Sequence, residues 1–185
     1  MSLLTHIDDL QRALADLHRD VDRIADWGRR VAGVLVGGGR LLAAGNGGSA
    51  AHAQHLTAEL VGRYLGERPP LSAVALHADT SALTAISNDY GIDECFARQV
   101  AAHGRRGDVL VALSTSGGSP NVVRAAEAAH RCCMTVFSLT GRLPNRLAAE
   151  SDDVIAVDGA TPTVQEVHQV IVHLLCEAID EEVLR

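Results

Sequence analysis

Between positions 2 and 36 the apolar residues Ile7, Leu10, Leu14, Leu17, Val21, Ile24 and Val31 recur at spacings of three, four and seven. These spacings lay one stripe along a helix, so the segment reads as a long amphipathic helix with Asp and Arg on its other faces. Such a stripe either docks on its own domain or packs against a helix of another subunit, and the pattern alone leaves both open. Further along, LLAA (41–44), AVAL (73–76), VLVAL (109–113), TVFSL (135–139) and a weaker DVIAV (153–157) are short apolar runs. They lack polar alternation, which predicts strands covered on both faces of a parallel sheet. Helical periodicity falls between them at about 49–65, 79–87, 93–103, 120–132 and 143–149, with a last long helix at about 162–184. Strand and helix in alternation predict a doubly wound α/β domain with a five-stranded parallel sheet, its ligands held just beyond the carboxyl ends of the strands.

Size and charge narrow this picture. A chain of 185 residues, 47% hydrophobic, can bury one substantial core, so residues 1–185 read as a single domain carrying an N-terminal helical extension over about 2–36. No repeat or linker divides it, and Pro69-Pro70 marks only a loop. The formal charge of −7, without a basic stripe, argues against a nucleic-acid partner. A small anion needs only a few local donors and stays in play. Cys95, Cys132, Cys133 and Cys176 show no C-x-x-C spacing and read as reduced thiols. The start, MSLLTHIDDLQ, has no basic n-region or apolar h-region, and no run approaches the roughly 20 apolar residues of a membrane span, which predicts a cytoplasmic protein without a membrane partner.

Two strand-to-helix turns carry the candidate binding chemistry. GNGGS (45–49) follows LLAA directly; its glycines admit a ligand close to the backbone, and Ser49 offers a helix cap and a hydroxyl. The turn is not G-x-G-x-x-G, and no acidic residue stands at a strand end about 20 positions on to hold a ribose. STSGGS (114–119) follows VLVAL and precedes a helix starting near Pro120. Its hydroxyls, glycines and helix N-terminus make an anion site, yet it lacks the lysine of a nucleotide-triphosphate loop, so a sugar monophosphate fits better. Both turns follow strands of one sheet and can face a single ligand across its crevice.

Titratable residues cluster on two helices. His55 and Glu59 are four apart on the helix after GNGGS, with Arg63 four further on, either as a surface ion-pair row or as a base beside the turn. On the last helix, Gln165 and His173 are eight apart, about 80° around the axis, whereas His168 points about 140° from His173. Should that helix pass the carboxyl edge of the sheet, His55, Glu59, Gln165 and His173 could converge as an N/O metal set, although no H-E-x-x-H signature is present.

Taken together, GNGGSAAHAQHLTAELVGRY, ISNDYG, STSGGS and VQEVHQVIVH closely resemble the phosphoheptose isomerases of the sugar isomerase (SIS) fold, nearly end to end and in the same order. The resemblance implies aldose–ketose isomerisation of sedoheptulose 7-phosphate to D-glycero-D-manno-heptose 7-phosphate, by a cytoplasmic homotetramer with sites between subunits. By the same match the N-terminal stripe becomes an oligomerisation helix. Ser49, Ser114, Thr115, Ser116 and Ser119 would hold the phosphate, and Asn46, Gly47, Gly48, Asn88 and Asp89 would line the sugar, with Arg63 and Gln165 also at the substrate. Glu59 falls on the family's general base and His173 on its acid/base partner. One zinc per subunit is implied on His55, Glu59, Gln165 and His173.

The chain departs from that family at two places. An acidic residue and an arginine usually stand shortly before the Gln-Glu of the last helix, where this chain has Pro162 and Thr163 within GATPTVQE. TGRLPN (140–145) replaces a more glycine-rich turn and reads as a loop change. Two rival readings stand: a non-catalytic relative that binds a bacterial replication initiator, and an isomerase of another sugar phosphate. Glu59 and His173 favour an enzyme, because the binding proteins do not retain them.

Overall fold

The computed structural model of the chain describes residues 3–185. The N-terminal segment is helical from Leu3 to Val36, as α1 (Leu3–Leu17), a 3-10 turn (His18–Asp20) and α2 (Val21–Val36); position 2 lies outside the described residues. Its stripe divides between the two uses that the pattern left open. Leu17, Ile24 and Val31 are buried in the domain's own core, whereas Ile7 and Val21 are exposed. The remaining order is β1 (Leu41–Gly45), α3 (Gly48–Val61), β2 (Ala73–Ala75), α4 (Thr80–Tyr90), α5 (Ala97–His103), β3 (Val109–Ser114), α6 (Pro120–Arg131), β4 (Thr135–Thr140), α7 (Arg146–Ala149), β5 (Asp153–Ala156) and α8 (Thr161–Val183).

All five strands pair in parallel in the order β2-β1-β3-β4-β5. Successive side chains of a strand point to opposite faces, and the two cores follow that alternation. Leu41, Ala43, Val109, Val111, Phe137 and Ile155 pack against α1, α2, α3 and α8, while Leu42, Ala44, Leu110, Ala112 and Val136 pack against α5, α6 and α7. Trp27 of α2 stacks on Phe137 with ring centroids 4.5 Å apart, and its indole N–H donates to Asp153 Oδ2 at 2.8 Å. Helices α2 and α8 cross so closely that a Cβ at Gly28 would stand 2.4 Å from Ala178 Cβ, which fixes the long final helix over the sheet.

β1 has β2 on one side and β3 on the other, so the chain's direction of winding reverses between β1 and β3. That is the switch point where doubly wound sheets open a crevice at the carboxyl ends of their strands. GNGGS leaves β1 and STSGGS leaves β3 at this crevice.

His168 of α8 is fully buried; one ring nitrogen, Nε2, meets Thr140 O at 3.2 Å, and Nδ1 has no partner. Burial disfavours the imidazolium and pushes the pKa down to about 4 from 6.5. The unfolded chain therefore takes up a proton that the folded chain refuses, so stability is complete above pH 6.5 and falls between about 6.5 and 4. The expected loss across that window is up to about 3 kcal/mol. Urea titrations of wild type and His168→Leu at pH 7.5 and 4.5 measure it: the wild type should lose distinctly more stability between the two pH values than the variant, and parallel losses would refute the assignment.

Candidate active site

The first turn is built by glycine at the positions where no other residue fits. A Cβ at Gly45 would lie 2.7 Å from the Ser49 backbone, and Gly47 has φ +53°, the left-handed region. Asn46 O accepts from Ser49 N at 2.9 Å and Ala50 N at 3.3 Å, starting α3. The cap differs from the sequence expectation: α3 begins at Gly48 with Gly47 as its N-cap, so Ser49 lies inside the first turn, buried, and does not cap it.

In the second turn Ser114 Oγ lies 3.0 Å from Ser119 Oγ and 3.5 Å from Ser116 Oγ, and Ser116 Oγ accepts from Gly118 N at 3.1 Å. Ser119 is the N-cap residue of α6, yet its side chain caps no helix N–H, so its hydroxyl is committed only to Ser114. These hydroxyls bond one another and can turn to an oxyanion placed before α6, where the helix dipole favours negative charge. Thr115 sits between them, half-buried. The TGRLPN segment is more than a loop change, because it backs this turn: a Cβ at Gly141 would fall 2.0 Å from Thr115 O, one at Gly117 2.1 Å from Asn145, and Thr140 Oγ1 donates to Ser114 O at 3.1 Å.

A pair of amides joins the two turns. Asn46 Nδ2 donates to Asn121 Oδ1 at 2.8 Å, and Asn121 Nδ2 donates to Asn46 Oδ1 at 2.9 Å.

Helices α3 and α8 bring the titratable residues together. His55 Nε2 is 2.9 Å from Glu59 Oε1 and 3.4 Å from His173 Nε2. Gln169 Nε2 lies 3.0 Å from His55 Nδ1 and 3.2 Å from His173 Nε2. Gln165, the fourth expected donor, lies beside the first turn, where a Cβ at Gly48 would stand 2.5 Å from its amide nitrogen. Tetrahedral zinc with bonds of about 2.0–2.1 Å has donor-to-donor edges of about 3.4 Å, the spacing of His55 Nε2 from His173 Nε2, whereas the 2.9 Å to Glu59 is that of a hydrogen bond. The donor types fit the ion, although among the described residues no group of three His, Cys, Asp or Glu side chains is already set as a metal site.

Two expectations are changed by the path of the chain. Arg63 does not continue the Glu59 row, because α3 stops at Val61. Beyond Gly62 its guanidinium bonds Leu65 O at 3.1 Å and approaches Glu67 at 3.9 Å, so it exerts no contact on the carboxylate. The helix ends there because a different arginine, Arg68, takes its last carbonyls: Nη2 donates to Glu59 O at 2.7 Å and Nη1 to Leu60 O at 2.9 Å, while Nε meets Asp180 Oδ1 at 2.6 Å. Asn88 and Asp89 are exposed on α4, and Asn88 Nδ2 donates to Asp89 Oδ1 at 2.8 Å.

Gln169, Asn121 and Arg68 escaped the sequence reading. Gln169 stands four residues after Gln165 and four before His173, a helical spacing that could have found it. No local spacing marks Asn121, which meets Asn46 from 75 positions away, or Arg68, whose partner Asp180 is 112 positions on.

A family model described as the SIS domain matches residues 5–141. The phosphoheptose isomerase of Streptomyces coelicolor is 61% identical over 176 residues, spanning 95% of this chain and 76% of that protein. Among solved structures, the phosphoheptose isomerase of Neisseria gonorrhoeae superposes with a TM-score of 0.87 at 42% identity, covering 97% of each chain. That of Francisella tularensis superposes with a TM-score of 0.91 at 35% identity, covering 98% of this chain and 100% of the other.

Proposed function

The chain belongs to the phosphoheptose isomerase family, aldose–ketose isomerases acting on sedoheptulose 7-phosphate in heptose biosynthesis, and we propose that Glu59 and His173 move the protons of its reaction. The observation that carries this is the convergence of His55 and Glu59, on the helix that GNGGS opens, with His173 of α8. In the ketose-to-aldose direction Glu59 takes the proton from C1 while His173 supplies one to the carbonyl oxygen at C2, giving an enediol. Return of a proton to C2 and loss of the O1 proton complete D-glycero-D-manno-heptose 7-phosphate. A carboxylate and an imidazole suit these steps because one accepts the carbon-bound proton while the other donates to the oxygen, and the roles exchange in the reverse direction.

The phosphate is held by Ser49, Ser114, Thr115, Ser116 and Ser119, and the sugar by Asn46, Gly47, Gly48 and Gln165. Asn88 and Asp89, exposed on α4, complete the sugar contacts in a homotetramer whose sites lie between subunits. The exposed Leu3, Leu4 and Ile7 of α1 support assembly through that helix. No described helix is long and apolar enough to cross a membrane.

His55, Glu59 and His173, with Gln165, would hold one zinc per subunit. Bound there, zinc would polarise the carbonyl and stabilise the developing oxyanion. A Glu59 bound to the ion is a weaker base, so its two oxygens must divide the tasks.

The decisive experiment follows sedoheptulose 7-phosphate with the chelated and the zinc-supplemented protein. Conversion to the aldoheptose phosphate is expected, and none in either form would overturn the reading. Metal analysis should find one zinc per subunit in the wild type and a deficit in His55→Ala; equal zinc in both would remove His55 from the metal set.

A further inference from the structure

We propose that Asn121 is a positioning residue for the isomerase reaction: it fixes the amide of Asn46 and so sets the sugar end of the site against the phosphate end. Asn121 is the second residue of α6, the helix that STSGGS opens, and it is 6% exposed. Every hydrogen-bonding position of its side chain is used. Oδ1 accepts from Asn46 Nδ2 at 2.8 Å and from Val122 N at 3.0 Å, and Nδ2 donates to Asn46 Oδ1 at 2.9 Å and to Cys95 Sγ at 3.6 Å. An amide satisfied on four sides cannot swing, so its partner is held as well.

Asn46 is the opposite case. Its reciprocal pair with Asn121 uses one N–H and one lone pair, and the residue is exposed at the crevice, so one donor and one acceptor remain for a ligand. The free N–H and the free lone pair lie on opposite edges of the amide, so a ligand hydroxyl accepts from the one or donates to the other. With the amide plane fixed by two bonds, that hydroxyl is met at a set angle and at a set distance from the Ser114–Ser119 hydroxyls. Asn121 touches no substrate in this arrangement and acts through Asn46, across the crevice between β1 and β3.

The inference rests on the two turns holding the sugar phosphate. Three variants test it: Asn121→Leu, Asn46→Ala and the double variant, assayed for kcat and KM, with inorganic phosphate as a competitive inhibitor. Asn121→Leu should lower kcat/KM by up to about 100-fold, the scale of a misplacement of about 1 Å. Its inhibition constant for phosphate should stay within about twofold of wild type. Because both residues act as one unit, the double variant should be no worse than Asn46→Ala alone. Asn121→Asp, which keeps the acceptor for Asn46 and Val122 but loses the donor to Asn46 Oδ1, should fall between, and it retains the test if the leucine variant folds poorly. Wild-type kcat/KM in both Asn121 variants, multiplying losses in the double variant, or phosphate inhibition lost in step with activity would each overturn the role. Absence of phosphate inhibition in the wild type would instead strike the reading of the turns.

Discussion

Glu59→Gln should reduce kcat by about 10²–10⁴-fold while leaving the fold and KM nearly intact, the loss expected when a positioned general base is removed. The substitution keeps the size of the side chain and an oxygen able to accept from His55 Nε2, now 2.9 Å from Glu59 Oε1. It removes the only property that proton abstraction needs, a carboxylate lone pair that can become an O–H. Carboxylate position is not at stake, because the backbone of Glu59 is clamped at its carbonyl by Arg68 at 2.7 Å. The measurement is exchange of substrate hydrogen with deuterated water together with net isomerisation. A base variant should lose both, whereas a variant that only impairs binding should recover at saturating substrate. Full exchange in Glu59→Gln would transfer the role to another residue. His173→Ala is expected to lose isomerisation to a similar degree, and the pair should be strongly non-additive, since either loss alone interrupts the same proton circuit.

Much of this was legible before the fold, for physical reasons that differ from residue to residue. Strands covered on both faces announce themselves as unbroken apolar runs, and all five fall where the runs stand, although β2 is an edge strand that leaves Val74 exposed. His55 and Glu59 share a helical turn, so their spacing alone placed them together. Helix ends were less legible. The apolar pattern carries α3 to about residue 65. The helix stops at Val61 because a guanidinium from the following loop takes its carbonyls, a tertiary event with no local signal. Gln165 and Gln169 show a related limit: both lie near the helix face of His173, and only the packing of α8 against Gly48 decides which amide meets the turn and which meets the imidazoles. The serine-rich turn looked like a set of free hydroxyls, whereas its geometry depends on Gly141 and Asn145, contributed by a segment that seemed incidental.

Arg68→Met should destabilise the protein by about 3–5 kcal/mol, the cost of leaving one member of a buried ion pair alone. Both side chains are nearly sealed from water, Arg68 at 0% and Asp180 at 9% exposure, so Asp180 left unpaired must either protonate or draw in solvent. The carbonyls of Glu59 and Pro69 lose the donor that Arg68 gives them, while Leu60 O keeps only Leu71 N at 3.0 Å. For a chain of this size the loss corresponds to a fall in Tm of about 10 °C. Activity should fall with it even below the transition, because this clamp is where α3, which carries Glu59, meets α8, which carries His173. The partner substitution separates the ion pair from the cap. Asp180→Leu in the Arg68→Met background removes the stranded charge and should recover part of the stability, since an apolar pair can replace a buried ionic one. It restores no donor to the α3 carbonyls, so the activity deficit should persist. Urea midpoints and isomerase assays on the two variants check this together: recovery of both quantities would assign the clamp to charge balance alone, and an Arg68→Met protein as stable as wild type would remove it altogether.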